Sequence, residues 1–420
     1  MKFDELGREF DIPLISEKFW DEIMAATDGG AKPAVISLGE LQGKIFPVTD
    51  ILDLAAAVFQ DGDVSVNADG SMLTEPKYSG RVPSTVADFE QFILETAAAN
   101  DAESIILSKS YCLKYSDRVA MMARSFISGY VERLGIPDPG INAVLIAGHY
   151  KETWIGLHND FCSTFLNPVY GRKKVMMWPP EYFDEVGLEK TLAVGGYRFG
   201  RVDVDPYAKD AVTFSVEPGE FLFIPANWWH YNRLPGRETS LALSLGIFAD
   251  GTVRENSKRA LSVALESDLG KQTLEPWNGI SAGTIDSLES IELPNQLEGL
   301  MGAIRENLLI QMLARSSARG VIAGGSAFRD ARPIASDSIL QGRSDAPVIL
   351  LKQDDGSGLL FALGAIIKIR SAAQVEKFVS QLATGKPFNI LKTAGPGEAA
   401  KAAEELSSWL YVRGGVEIIG

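Results

Sequence analysis

The sequence predicts an α+β protein in which a β-sandwich or barrel is flanked by helical segments. The chain has 420 residues, more than one hydrophobic core usually supports. Its 46% hydrophobic and 23% charged residues are typical of a globular protein. Short apolar runs fill residues 141–248, whereas the segments on both sides have helical periodicity. We therefore divide the chain into residues 1–250, 251–320 and 321–420.

The first 150 residues alternate helical and extended patterns. Ser84 or Thr85 is a suitable N-cap for one helix, and Gly135 is a suitable end for another. This region is expected to form a helical flank against strands. The predicted helices are 15–26, 51–60, 84–99 and 116–135, and residues 32–38 are predicted to form a strand.

The central region consists of short strand-like runs separated by Gly, Pro and Asp. Many short strands at near-regular spacing are typical of an all-β sandwich or barrel. The runs are "INAVLIAG", "IGLHNDFCSTFLN", "KKVMMWPP", "AVTFSV", "GEFLFIPA" and "SLALSLGIF".

The last third of the chain is predicted to contain a helical segment and a small α/β module. Residues 251–320 are mostly helical in pattern, and Gly320, Gly324 and Gly325 mark a linker. In residues 321–420, the pattern predicts a strand, two helices and a terminal hairpin, an arrangement typical of a winged-helix-like domain. The strand is "GLLFALGAIIKI", the helices are "SAAQVEKFVSQLATG" and "GEAAKAAEELSSWL", and the hairpin is "LYVRGGVEII".

Charge and cysteine content exclude several classes of protein. A formal net charge of -15 argues against a nucleic-acid partner, because binding phosphates needs clustered Lys and Arg. The last module is nearly charge-balanced, which favours protein contact or dimerisation. Cys112 and Cys162 cannot form a disulfide framework. With no signal-peptide pattern and no run of 18 apolar residues, we expect a cytoplasmic protein without membrane spans.

The histidines indicate a metal site. His158 and Asp160 are two residues apart in a strand-like run, so their side chains are expected to share one face. A third ligand must come from His149 or His230, and His230 ends the strand-like run "PGEFLFIPANWWH". Two histidines and one carboxylate form the facial triad of non-haem Fe(II) oxygenases. The alternative interpretation is that these histidines are satisfied core or edge residues.

Three motifs resemble the JmjC-type, cupin-like family of 2-oxoglutarate oxygenases. They are an HxD strand, a "GRKK…WPP" strand and a "PGEFLFIPANWWH" strand, in this order within residues 140–250. The flanking regions resemble the ribosomal-oxygenase branch of the family more loosely. The resemblance implies a double-stranded β-helix, or jelly roll, for residues 1–250 with its helical flank. It also implies a helical dimerisation segment and a C-terminal winged-helix-like module.

The resemblance also implies roles for individual residues. His158, Asp160 and His230 match the iron ligands, and Lys173 matches the lysine that pairs with the distal carboxylate of 2-oxoglutarate. Thr164 falls where family members place a small polar residue beside the cosubstrate, although an ordinary β-branched strand residue is an equal alternative. The expected cofactors are Fe(II), 2-oxoglutarate and O₂.

The sequence departs from the family on the last barrel strand, where "LALSLGIF" lacks the polar residue found in some members. Ser244 or Tyr150 is an alternative hydroxyl for the cosubstrate. Arg237 is a rival to Lys173 as the anchor of the distal carboxylate, and Lys173 is preferred because the surrounding motif fits. Lys174 is expected to face solvent by strand alternation.

The implied activity is hydroxylation of an aliphatic C–H bond in a peptide or protein side chain. A small-molecule hydroxylase of a biosynthetic pathway and a non-catalytic cupin-like scaffold are alternatives. A cupin isomerase or dioxygenase would need an HxH motif, which is absent. The stretch 286–316 resembles a homodimer interface, and packing of this helix on its own barrel is the alternative.

Overall fold

A computed structural model describes residues 15–78, 83, 85–138, 140–193, 196–199, 202–249, 253–268, 271–272, 295–321, 334–412 and 415–419. The helices are α1 (Glu17–Ala26), α2 (Val48–Asp61), α3 (Val86–Ala99), α4 (Asp117–Leu134), α5 (Tyr182–Val186), α6 (Val253–Glu266), α7 (Asn295–Ser317), α8 (Ala372–Leu382), α9 (Ile390–Ala394) and α10 (Glu398–Val412).

The strands of the first 250 residues are β1 (Ala34–Ser37), β2 (Ser65–Ala68), β3 (Ser71–Met72), β4 (Ile105–Ser110), β5 (Gly140–Glu152), β6 (His158–Asp160), β7 (Ser163–Tyr170), β8 (Lys173–Trp178), β9 (Thr191–Ala193), β10 (Gly196–Arg198), β11 (Val212–Val216), β12 (Glu220–Ile224) and β13 (Trp229–Phe248). The later strands are β14 (Ile339–Gly342), β15 (Ile349–Lys352), β16 (Gly358–Ala362), β17 (Ala365–Ile369), β18 (Phe388–Asn389) and β19 (Val416–Ile418).

Strand pairing defines a double-stranded β-helix, as predicted. One antiparallel sheet has the order β5, β13, β7, β12, and the facing sheet has the order β6, β13, β8, β11. The long strand β13 belongs to both sheets. Residues 229–232 pair with β8, and residues 238–248 pair with β5, with a register shift between Arg233 and Glu238. This shift is where the chain crosses from one sheet to the other.

The larger sheet is extended at both edges and covered by the N-terminal helices. Strand β1 pairs with β12, and β4, β2 and β3 continue the sheet beyond β5. Its outer face forms the main hydrophobic core, in which Leu145, Phe165 and Leu243 pack with side chains of α1 to α4. Trp20 of α1 meets Phe165 edge to face, with ring centroids 5.8 Å apart. Burial of this face fixes which residues point into the barrel.

The inner faces of the two sheets enclose a smaller apolar cluster. Its buried members alternate along their strands with residues of the outer clusters, as the period of a strand requires. Leu166 is inside and Phe165 outside, and Val175 is inside and Met176 outside. The buried interior members are Leu166, Val175, Met177, Val216, Leu222, Ile224 and Ala242.

Thr85 and Gly135 bound their helices as predicted, and Ser16 caps α1. Ser16 accepts a hydrogen bond from Phe19 N at 3.3 Å, and Thr85 accepts one from Asp88 N at 3.1 Å. Gly135 follows α4 with a φ of 88°, which glycine adopts without steric cost. Residue 84, the other candidate cap, lies outside the described residues.

Two strand predictions near the motifs were wrong in extent. The run "IGLHNDFCSTFLN" is divided into β6 and β7 by a bend at Phe161 and Cys162. The run "PGEFLFIPANWWH", predicted as one strand that ends at His230, is also divided, because β12 ends at Ile224 and His230 is the second residue of β13. Pro225 has no N–H for the ladder, and Asn227 takes the left-handed conformation with a φ of 65°. Local turn chemistry therefore overrides the continuous apolar pattern.

The described residues of the C-terminal region, 334–412 and 415–419, form two three-stranded sheets and three helices. The sheets have the orders β18, β14, β19 and β15, β16, β17. The helices α8 and α10 match the predicted pair, whereas the predicted single strand 358–369 is a hairpin of β16 and β17. The predicted closing hairpin is wrong, because Leu410–Val412 form the last turn of α10 and β19 pairs with β14. The winged-helix-like classification stays a prediction.

The predicted helical segment between barrel and C-terminal region is represented by α6 and α7. Residues 273–294, and the linker glycines at 324 and 325, lie outside the described residues. The end of α7 contacts the barrel, since Arg315 forms an ion pair with Asp138 and Val321 pairs with Ile141. Among the described residues, every helix is too short or too polar to span a lipid bilayer.

Candidate metal and anion site

The pairing of β6 with β13 brings three candidate ligands together. His158 lies directly opposite His230, with ring centroids 4.1 Å apart. Asp160 follows on the same strand, and its Oδ2 is 3.7 Å from Nε2 of His230. One ligand atom of each residue lies within 4.8 Å of the others, a spacing that one metal ion could bridge. His149 is elsewhere, with Nδ1 3.0 Å from Thr239 Oγ1.

Backbone carbonyls orient both imidazole rings. Nδ1 of His158 is 2.8 Å from the carbonyl oxygen of Gly156, and Nδ1 of His230 is 3.1 Å from that of Trp228. A proton on each Nδ1 donates to its carbonyl and leaves the lone pair of Nε2 free for a metal. Both rings are therefore held in the tautomer that a metal site needs.

The turn before His230 is attached to the strand that carries His158. Asn227 N donates to the carbonyl oxygen of Asp160 at 2.7 Å, and Asn159 Nδ2 donates to the carbonyl oxygen of Asn227 at 3.3 Å. Asn159 Oδ1 also accepts from Tyr197 N of β10 at 2.8 Å. These contacts fix the spacing between the two histidines. The sequence offered one signal for this turn, an asparagine after Pro225, a residue type that tolerates left-handed turns.

Burial keeps His158 uncharged. Desolvation lowers its pKa to about 4, and the neighbouring His230 acts in the same direction, whereas Asp160 opposes the shift. The neutral imidazole is the form that binds metals. Two imidazole nitrogens and one carboxylate, with no further acidic or histidine ligand in the described cluster, fit a metal with open coordination positions.

Lys173 is the buried cation of the barrel interior. Its side chain is on the same face of β8 as Val175 and Met177, and it is 1% exposed. Nζ donates to Ser240 Oγ at 2.8 Å and to the hydroxyl of Tyr150. No carboxylate pairs with it within the described ranges. A buried ammonium without a counter-ion is costly, so the interior is suited to an incoming anion.

Two other cations near the motifs face solvent. Lys174 is exposed on the opposite face of β8, as alternation predicts. Arg237 has a half-exposed side chain that pairs with Glu103. Among these three cations, only Lys173 lies inside the barrel.

The second half of β13 presents small polar residues to the interior. Alternation from interior Ala242 places Ser240, Ser244 and Gly246 on the same face. Ser240, which contacts Lys173, was missed from the sequence, although its alternation with Ser244 was a visible signal. Tyr150 contacts Lys173 directly.

Thr164 is buried on β7, opposite Gly246. It is not on the same strand as His158 and Asp160, because β6 and β7 are separate strands. Its Oγ1 is 3.6 Å from Cys162 Sγ. A Cβ added to Gly246 would lie 3.1 Å from that sulfur. Cys162 therefore fills the space that a larger residue at position 246 would need, which favours a packing role for this cysteine.

The fold agrees with known proteins. Residues 144–234 match the family model described as a cupin-like domain, and this range contains His158, Asp160, Thr164, Lys173 and His230. The X-ray structure of Escherichia coli YcfD has 14% sequence identity to this chain, with 92% of this chain and 95% of that chain covered and a TM-score of 0.50. The chain thus contains a cupin-like domain.

A second solved structure is described as YcfD, a ribosomal oxygenase from Escherichia coli, in complex with cobalt and 2-oxoglutarate. It has 15% identity, 92% and 95% coverage and a TM-score of 0.45. No curated protein matches the sequence significantly.

Proposed function

We propose that this protein is an Fe(II)- and 2-oxoglutarate-dependent oxygenase that hydroxylates an aliphatic C–H bond of a peptide or protein side chain. One observation carries the proposal: the His158, Asp160 and His230 cluster and the buried Lys173 face the interior of the same barrel. A set of candidate metal ligands and a buried cation without a carboxylate partner, in one interior, are the two requirements for binding a metal-chelating dicarboxylic acid.

The side chains divide into two groups by role. His158, Asp160 and His230 would hold the metal, and three protein ligands would leave coordination positions for other ligands. Lys173 would neutralise the distal carboxylate of 2-oxoglutarate, while Ser240 and the hydroxyl of Tyr150 hold the ammonium in place. When bound, Fe(II) and 2-oxoglutarate supply the oxidising chemistry with O₂.

The apolar interior limits access of water. Val175, Met177, Leu222 and Ile224 are buried between the sheets beside the polar groups. Water exclusion strengthens the attraction between Lys173 and a carboxylate. It also keeps water from reaching the site and competing with the ligands.

A protein substrate suits the charge of the chain. With a net charge of -15, the chain attracts a basic partner such as a segment of a ribosomal protein. YcfD, which shares the fold, is described as a ribosomal oxygenase. Cys112 and Cys162 are both buried, and neither is in a disulfide among the described residues, which suits a reducing cytoplasm.

A homodimer through α6 and α7 is part of the proposal. Both helices expose large apolar side chains that a second copy of the chain would cover. They are Leu261, Val263 and Leu265 of α6 and Met301, Leu309 and Met312 of α7. Light scattering should give the mass of a dimer, and Met301→Glu with Met312→Glu should give monomers. A monomeric wild type would contradict this assembly.

Anaerobic titration with Fe(II) and 2-oxoglutarate tests the proposed cofactor chemistry. The chelate has a weak visible charge-transfer band, which the wild type should develop. Asp160→Ala should lose the band, and the matched control Lys174→Ala, changed on the exposed face of β8, should retain it. No band in the metal-replete wild type would contradict the oxygenase and favour the scaffold alternative.

The substrate class needs a separate measurement. Basic peptides and ribosomal proteins should stimulate succinate release by the wild type, with a mass increase of one oxygen atom on the peptide. Stimulation only by small molecules would replace the protein substrate with the biosynthetic alternative.

A further inference from the structure

Asn232 is a polar residue of the barrel interior that the proposed function does not use. It follows His230 by two residues on β13 and lies directly opposite Val175 of β8. Directly opposite residues in an antiparallel pair share a face. Because Val175 packs inside the barrel with Met177, which is opposite His230, Asn232 faces the interior as well.

Two residues that precede Asn232 on β13 support this orientation. Trp229 and Tyr231 lie opposite Trp178 and Met176, and all four belong to the hydrophobic cluster on the outer face of the smaller sheet. Alternation along β13 therefore directs the amide inward.

The side-chain amide of Asn232 has an unmet hydrogen-bonding capacity. Its Oδ1 is removed from solvent and has no hydrogen-bond partner among the described residues. The backbone is already engaged, because Thr153 N donates to the carbonyl oxygen of Asn232 at 3.0 Å. Buried polar side-chain atoms are usually hydrogen-bonded, so a partner is expected to come from outside the chain.

Lys173 is within reach of the same ligand. It precedes Val175 by two residues on the same face of β8, which makes it the diagonal neighbour of Asn232 across the strand pair. A turn of the amide about its last side-chain bond exchanges Oδ1 and Nδ2, so the group can donate to an anion.

We propose that Asn232 is a specificity-determining residue that donates a hydrogen bond to the distal carboxylate of the oxoacid held by Lys173. The inference rests on the proposed function. Asn232 and Lys173 together select a dicarboxylic 2-oxoacid over a monocarboxylic one. Asn142 provides a contrast, because its Oδ1 already accepts from Tyr111 N at 2.8 Å.

Calorimetric titration of the Co(II)-loaded full chain tests this role without turnover. The ligands are 2-oxoglutarate and 2-oxobutanoate, which lacks the distal carboxylate. Asn232→Leu should weaken 2-oxoglutarate binding about ten- to a hundredfold, the effect of losing a hydrogen bond to a charged group. Binding of 2-oxobutanoate should be unchanged. The matched control Asn142→Leu should leave the ratio of the two affinities unchanged.

Asn232→Asp is a second variant that preserves shape. Its carboxylate repels the distal carboxylate and competes for Lys173, so 2-oxoglutarate should again weaken selectively. Equal weakening of both ligands would assign Asn232 a merely structural role, and unchanged 2-oxoglutarate affinity would show that the amide does not contact it. Either result would overturn the inference about Asn232 and leave the proposed function standing. Absence of metal-dependent 2-oxoglutarate binding in the wild type overturns the proposed function, and this inference with it.

Discussion

Arg343 in the C-terminal region and Lys173 in the barrel are both buried cations, but they are paired differently. Arg343 makes two 2.9 Å contacts with the carboxylate of Asp345 and a 2.6 Å contact with Glu417. Lys173 meets only hydroxyls in the described structure. The charge of a guanidinium paired with carboxylates is neutralised within the fold. An ammonium held only by hydroxyls keeps its charge available for an anion. The ion pairs of Arg343 indicate a structural role, and the proposed function assigns Lys173 a binding role.

The largest expected effect is on the structural pair. Arg343→Met leaves the carboxylate of Asp345, which is 2% exposed, without its partner in the interior. Losing one partner of a buried ion pair should lower the free energy of unfolding by about 3–5 kcal/mol. Denaturant unfolding of the full chain, followed by hydrogen exchange in the C-terminal region, measures this loss.

The control for this prediction removes both charges. Arg343→Met combined with Asp345→Leu should recover most of the lost stability, because no buried charge is left unpaired. The affinity for 2-oxoglutarate should equal that of the wild type in both variants. A single variant as stable as the wild type would show that the ion pair does not stabilise the fold.

Lys173→Met should weaken ligand binding without lowering stability, the opposite of what is expected for Arg343→Met. Loss of a charged donor to the distal carboxylate should weaken 2-oxoglutarate binding by about 3 kcal/mol, or roughly a hundredfold. The free energy of unfolding should not fall, because the buried ammonium has no carboxylate to abandon. Calorimetric titration and denaturant unfolding measure the two quantities on one sample.

Lys174→Met is the matched control, since it removes a lysine from the exposed face of the same strand. It should change neither quantity. If Lys173→Met destabilised the chain as much as Arg343→Met, the distinction between structural and binding cations would be lost.

The sequence could predict the residues whose role depends on spacing along one strand. His158 and Asp160 are two apart, and Lys173 and Lys174 alternate between the interior and solvent. The helix cap at Thr85 was equally predictable, because a cap acts within one turn of its own helix. These signals are local, so one sequence is enough to read them.

Contacts between distant residues could not be predicted. Ser240 meets Lys173 only because β13 crosses from one sheet to the other, and the two residues are 67 positions apart. The bend between β6 and β7 and the turn at Asn227 interrupt runs that are continuous in hydrophobicity. The prediction of a closing hairpin was wrong for the same reason, because β19 pairs with β14, a strand that is distant in sequence.

Cys112 extends the comparison to a buried group without any charge. Burial raises the pKa of its thiol from 9.0 to about 12. Above pH 9 the unfolded chain loses this proton while the folded chain keeps it, so stability is full below pH 9 and falls as the pH rises toward 12. The loss between pH 9 and pH 10 should be about 1 kcal/mol.

Unfolding curves for the wild type and Cys112→Ala at both pH values isolate this contribution, because other groups titrate alike in the two proteins. The variant should have a smaller pH dependence. An identical pH dependence would mean that the thiol ionises as readily in the folded chain as in the unfolded one.

Arg124 of α4 gives the smallest expected effect and the sharpest test of the comparison. It is 3% exposed, and its Nε has no hydrogen-bond partner among the described residues. Burial lowers its pKa to about 10, with attraction from Asp345 opposed by repulsion from Arg343. Arg124→Met should therefore change the free energy of unfolding by less than about 1 kcal/mol, because Asp345 keeps its two hydrogen bonds to Arg343 when the charge of Arg124 is removed. A loss equal to that of Arg343→Met in the same unfolding experiment would show that Arg124 stabilises the fold as a further partner of Asp345. Hydrogen bonding to carboxylates would then no longer distinguish structural buried cations from other buried cations.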